Sequence, residues 1–235
     1  MEIKSEVLKG FLGQIGMYGT SSLLECILDF NEKEVYVIAQ VSANTVIMQG
    51  RLDKKAFEKY EPIGKIGIEN LTQVKEYVKR LNGVVTITKK DNVLVFKAGN
   101  KKVEVLLREA EFIEAPPKYP AEVEKAYDTI VELDYSEIKD FVEDMKAVVS
   151  RTLTIETAKN TVTLKTKNMD TITKTVTVEQ TLKPQTVKLA ENFIEVLSGI
   201  SGKIELRIKS DYPVTIGNKT ENTRVDIIVS PASVK

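Results

Sequence analysis

Apolar positions three and four residues apart recur at four places along the chain, and runs of alternating apolar and polar residues follow them. Residues 5–16, SEVLKGFLGQIG, put Leu8, Phe11, Leu12 and Ile15 on one helical face, with Ser5 suited to cap the first turn. Residues 136–148 repeat that face with Ile138, Phe141, Val142 and Met145, and at the same offset of 130 positions Lys139 stands where Lys9 stood. Two further helices are predicted, one presenting Leu71, Val74, Val78 and Leu81, the other Phe193, Val196, Leu197 and Ile200. After the first helix come SLLECILDF, EVYVIAQV and TVIMQGRL, and after the third come RTLTIET, NTVTLKT and TITKTVTVEQ. Each run reads as a strand bounded by turn residues. Short apolar stretches, such as KIGI at 65–68 and YDTIVEL at 127–133, precede the helices.

The chain therefore reads as four β-α-β-β-β units. A helix with one apolar stripe and strands with one apolar face are buried by sharing a core, which is why such a unit is repeated. The expected fold class is α+β, with two similar domains of two units each, helices on one face and antiparallel sheets on the other. The domains are predicted at residues 1–107 and 127–235. Between them lies REAEFIEAPPKYPAEVEKA, residues 108–126, which holds three of the seven prolines and reads as an extended linker outside any sheet interior. Phe112 and Ile113 stand out there, because a solvated linker has no need of two large apolar neighbours. Two readings stand: they tack the linker onto a domain, or they receive a partner.

Composition narrows the chemistry. The 235 residues carry 34 basic and 34 acidic side chains, so net charge gives no sign of wholesale nucleic-acid or membrane binding. The chain has no histidine and a single cysteine, Cys26, inside an apolar run, which reads as a small buried hydrophobe. The commonest general base and zinc ligand are thus missing, and no disulfide forms within the chain. No catalytic residue, metal or cofactor is expected. The acidic groups Glu122, Glu124 and Asp128, or Glu132, Asp134 and Asp140, are scattered without recognisable ligand spacing and read as solvated charge. No apolar run approaches the roughly 20 residues of a membrane span, so the chain is expected to be soluble and intracellular, without membrane partners.

Order and spacing of the units, together with NLTQVKEYVK at 70–79 and the ending SDYPVTIGNKTENTRVDIIVSPASVK, resemble the DNA polymerase sliding clamp family, which includes proliferating cell nuclear antigen and its archaeal and viral relatives. Ser230-Pro231 stands where that family has alanine-proline, and Ile228 replaces its usual aromatic. The resemblance implies a homotrimeric ring that encircles duplex DNA without reading sequence and tethers polymerase, clamp loader and other proteins through short peptides, in the cytoplasm near the nucleoid. Helix lysines would line the ring as mobile point charges. The resemblance points to Lys9, Lys75, Lys79, Arg80, Lys139 and Lys146, although lysine on a solvated helix face needs no ligand. The fourth helix departs from this, with Glu191 and Glu195 and no base until Lys203.

For partner peptides the resemblance implies Thr45, Ile47, Phe112, Ile113, Pro213, Ile228 and Ser230, with core packing the alternative for Ile47, Pro213 and Ile228. Ring closure would use edge strands at 102–107 and 152–166. Three alternatives remain open: a clamp subunit or viral processivity factor that forms no homotrimer, a β-rich intracellular scaffold without a DNA role, and an enzyme.

Overall fold

β-branched and aromatic residues at every second position favour half-buried strands, and the chain folds them in short antiparallel hairpins. The computed structural model describes residues 1–15, 25–40, 46–113, 126–148, 152–168, 170–190, 196–197 and 200–231. It divides into two compact units, the first comprising Met1–Ser42, Ile47–Pro116 and Thr220–Val225, the second Ala43–Val46, Pro117–Lys219 and Asp226–Lys235.

In the first unit the elements run β1 (Glu2–Lys4), α1 (Ser5–Ile15), β2 (Cys26–Phe30), β3 (Glu34–Gln40), β4 (Val46–Asp53), β5 (Phe57–Lys59), β6 (Gly64–Ile68), α2 (Leu71–Val78), β7 (Val84–Lys90), β8 (Val93–Ala98) and β9 (Lys101–Leu106). One antiparallel sheet has the order β5-β1-β7-β8-β9, and β4, β3, β2 and β6 lie side by side in that order. The predicted helical faces are buried: Leu8, Phe11, Leu12 and Ile15 from α1, with Leu71, Val74 and Val78 from α2. Leu28, Phe30, Val35, Leu52, Phe57, Ile87, Leu94 and Phe96 meet them in one core. Burying each such side chain stabilises by about 2 kcal/mol. Cys26 is buried as expected, and that burial pushes its thiol pKa up to about 12. Asn70 caps α2 by accepting the Gln73 amide at 2.9 Å.

In the second unit β10 (Thr129–Asp134) leads through a 3-10 turn at Tyr135–Glu137 into α3 (Lys139–Ala147). The cap is Asp134, whose carboxylate accepts the Ser136 amide at 2.9 Å and hydroxyl at 2.7 Å, while Glu137 reaches back to the Asp134 amide at 2.9 Å. Then come β11 (Thr152–Lys167), β12 (Thr171–Ala190), β13 (Lys203–Ile208), β14 (Val214–Lys219) and β15 (Thr223–Val229), the last counted with this unit from Asp226 on, with β10, β13, β14 and β15 adjacent in that order. Of the fourth predicted helical face, Val196, Leu197 and Ile200 are buried, while Phe193, Glu191 and Glu195 lie outside the described residues.

The two strands expected at 151–157 and 160–166 are the two arms of β11, which folds back on itself. The Thr166 hydroxyl donates to the Thr152 carbonyl at 2.8 Å, and Lys165 reaches Glu156 at 2.6 Å. A straight strand rising about 3.3 Å per residue would hold those partners tens of ångströms apart. The chain reverses at Lys159, whose φ is 51°, and Thr161 Oγ1 closes the turn on the Ala158 carbonyl at 2.9 Å. One arm pairs Thr152–Thr157 with Gln185–Ala190, the other Thr161–Lys167 with Thr171–Thr177. Residues 152–166, expected at a sheet edge, are therefore flanked on both sides, because each arm pairs outward with β12 as well as inward across the turn. Residues 101–106 do end their sheet: β9 is its last strand among the described residues.

Candidate functional site

The helix lysines divide by unit. In the first, Lys9 of α1 donates to the Asn82 side chain at 3.1 Å. Gly10 and Gly13 leave α1 bare beside it, since a Cβ added at either would meet nothing within 4 Å. On α2, Lys75 and Lys79 stand one turn apart and Arg80 follows, with Glu76 the one carboxylate among them. Partial burial, with the neighbouring Lys79 charge, lowers the pKa of Lys75. Lys79 is paired with Glu76 at 2.5 Å, an exposed contact across one turn that leaves the ammonium half accessible. The C-terminal side of α2 is thus a basic surface.

In the second unit, Lys139 and Lys146 of α3 are exposed, but Asp140, Glu143 and Asp144 share the helix. Lys139 lies 3.8 Å from Glu143, and Lys174 on β12 engages Asp140 at 2.8 Å. Two cations face three carboxylates, one of them occupied, so α3 offers much less positive potential than α2.

The residues expected to receive partner peptides also separate. Thr45 lies outside the described residues, and Ile47 is buried in β4. Phe112 ends a 3-10 turn at Ala110–Phe112 and is 64% exposed, whereas Ile113 is 5% exposed. Arg108 lies along β6 and exchanges two backbone hydrogen bonds with Gly67, at 3.0 and 3.1 Å, while its guanidinium reaches Glu25. The opening of the expected linker is therefore bound to the first unit, and a groove of about 480 Å³ beside it is lined by Lys65, Lys89, Asp91 and the Leu107–Glu111 segment. In the second unit Ile228 is buried, while Pro213 and Ser230 are half-buried. Pro231 forms an isolated bridge with Leu189.

Sequence reasoning passed over three positions. Tyr212 is 37% exposed in the turn before Pro213, with the Lys209 ammonium 4.6 Å from its ring centroid. Leu106 at the end of β9 is 67% exposed. Gly67 had a visible signal, a glycine inside the strand run KIGI, which marks close backbone approach.

Among the described residues no group of three or more His, Cys, Asp or Glu is placed to hold a metal ion, and no helix is long and apolar enough to cross a membrane. Asp134 and Asp140 are engaged by Ser136 and Lys174, while Glu122 and Glu124 lie outside the described residues.

No family model matches the sequence, and no curated protein matches it. Solved structures do match the fold over its whole length. A PCNA from A. fulgidus, solved with the C-terminal region of FEN-1 bound, superposes with a TM-score of 0.84 at 18% identity, covering 100% of this chain and 98% of that one. The PCNA of Entamoeba histolytica gives 0.80 at 19% identity, covering 99% and 98%. The chain has the PCNA fold.

Proposed function

We propose that this chain is a DNA sliding clamp that encircles duplex DNA as a homotrimer and tethers polymerase, clamp loader and other replication and repair proteins inside the cell. Residues 1–107 and 127–235 are its two clamp domains and 108–126 its connecting segment. The observation that carries the reading is the full-length likeness of fold to two PCNA structures. It is a tether, not an enzyme. Sliding needs loose, sequence-independent attraction to phosphates, which lysines on helices provide.

The set Lys9, Lys75, Lys79, Arg80, Lys139 and Lys146 is assigned to DNA, with the α2 members contributing most because few carboxylates oppose them. Phe112 is the principal peptide contact of the first unit: a large aromatic, 64% exposed on a short, hydrogen-bonded turn, is a preorganised anchor. Pro213 and Ser230 are assigned to peptide contact in the second unit. Ile47, Ile113, Thr45 and Ile228 belong to the same assignment.

The deciding experiment is sedimentation equilibrium over a range of protein concentrations. A mass of three times the 26.3 kDa chain is expected. A monomer at every concentration sinks the homotrimer and moves the reading to a heteromeric or non-encircling factor.

A further inference from the structure

We propose that Gly67 is a positioning residue for the partner-peptide site: the close approach it permits seats Arg108 and Ile113 on β6 and thereby turns Phe112 outward. The inference rests on the reading of Phe112 as a peptide anchor. β6 pairs with β2 on one side, Gly67 standing opposite Ile27, and would otherwise expose its other edge. Arg108 covers that edge by the two backbone bonds to Gly67. A Cβ at position 67 would lie 2.5 Å from the Arg108 carbonyl oxygen and 2.6 Å from Ile113 Cδ1. The first neighbour is backbone, so the Arg108 segment itself would have to move.

Phe112 follows from this seat by geometry. The turn between the two anchors is 3-10, closed by the Phe112 amide on the Glu109 carbonyl at 3.0 Å and the Ile113 amide on the Ala110 carbonyl at 3.3 Å. Successive residues of a helix with three residues per turn point about a third of a turn apart. With Ile113 pinned inward against Gly67, Phe112 is directed away from the unit. Both anchors lie within six residues of chain, so little freedom remains between them. The Arg108–Glu25 pair is half-exposed and adds little.

The test compares the parent chain with Gly67→Ala and Phe112→Ala by amide hydrogen exchange at Arg108 and Ile113, by calorimetric titration with a peptide from the C-terminal region of FEN-1, and by native mass. In Gly67→Ala, exchange at Arg108 is expected to accelerate by about tenfold or more as its ladder bonds are lost. Peptide affinity falls toward that of Phe112→Ala, with native mass unchanged. Parent-like exchange overturns the seat. Faster exchange with parent-like affinity, while Phe112→Ala loses binding, overturns the positioning role and leaves Phe112 as an anchor. If the parent does not bind the peptide, or Phe112→Ala binds it equally well, the anchor reading itself fails and the positioning role falls with it. Should Gly67→Ala not fold, Arg108→Pro keeps the glycine, removes the Arg108 amide that donates to the Gly67 carbonyl and carries the test: weakened peptide binding in a folded protein supports the seat, and parent-like binding overturns it.

Discussion

Ile113 buries its side chain against Gly67 while Phe112, one position earlier, stays in solvent, so two adjacent apolar residues of similar hydrophobicity have opposite roles. Phe112→Ala is expected to lower partner-peptide affinity by about tenfold or more, as loss of an aromatic anchor does, without changing native mass. Equal binding by mutant and parent removes Phe112 from the site. Asp134 supports a second residue-scale prediction. Its hydrogen bonds from Ser136, first the hydroxyl and then the amide, hold its carboxyl pKa below the usual carboxylate range. A carboxyl with a depressed folded pKa contributes stability above its unfolded value and loses it as pH falls through the folded one. Asp134→Ala should therefore lower Tm at neutral pH, with the gap to the parent closing in acid. A gap independent of pH would rule out the carboxylate cap as its source.

Within elements, local signals and their limits are both visible. The four stripes of apolar residues were readable because a helix must bury one face, and α1, α2 and α3 bury the residues named. The strand runs at 151–157 and 160–166 were readable too, and they are the two arms of β11, joined by a reversal through Lys159 that no glycine or proline announces. Left-handed backbone costs a β-carbon-bearing residue roughly 1 kcal/mol, so Lys159→Gly should raise the urea midpoint slightly and Lys159→Val should lower it. Equal midpoints for both variants would argue against strain at that turn. The helices also rank the candidate DNA contacts. Lys79→Glu is expected to weaken salt-dependent DNA binding more than Lys139→Glu, because α3 already carries three carboxylates. Equal losses would return α3 to the same standing as α2.

At the scale of the whole molecule, the chain divides into two compact units and has the PCNA fold over its full length. The double variant Lys79→Glu with Lys139→Glu should lower loading or processive synthesis with the fold and native mass intact. Unchanged processivity would count heavily against the helix lysines as a DNA surface.

The sequence by itself determined the apolar helical faces of α1, α2 and α3, the strand-rich runs between them, the order of units that resembles a clamp, and the absence of histidine chemistry. These follow from periodicity and composition, which act over a few residues and survive without knowledge of neighbours. Tertiary structure alone decided which of Phe112 and Ile113 is exposed, that residues 152–166 are interior to their strands, and that Lys139 stands among carboxylates partly claimed by Lys174. Each of those outcomes depends on residues tens of positions away, Gly67 with Arg108, Gln185 with Thr157, Lys174 with Asp140, brought together only when the strands pair.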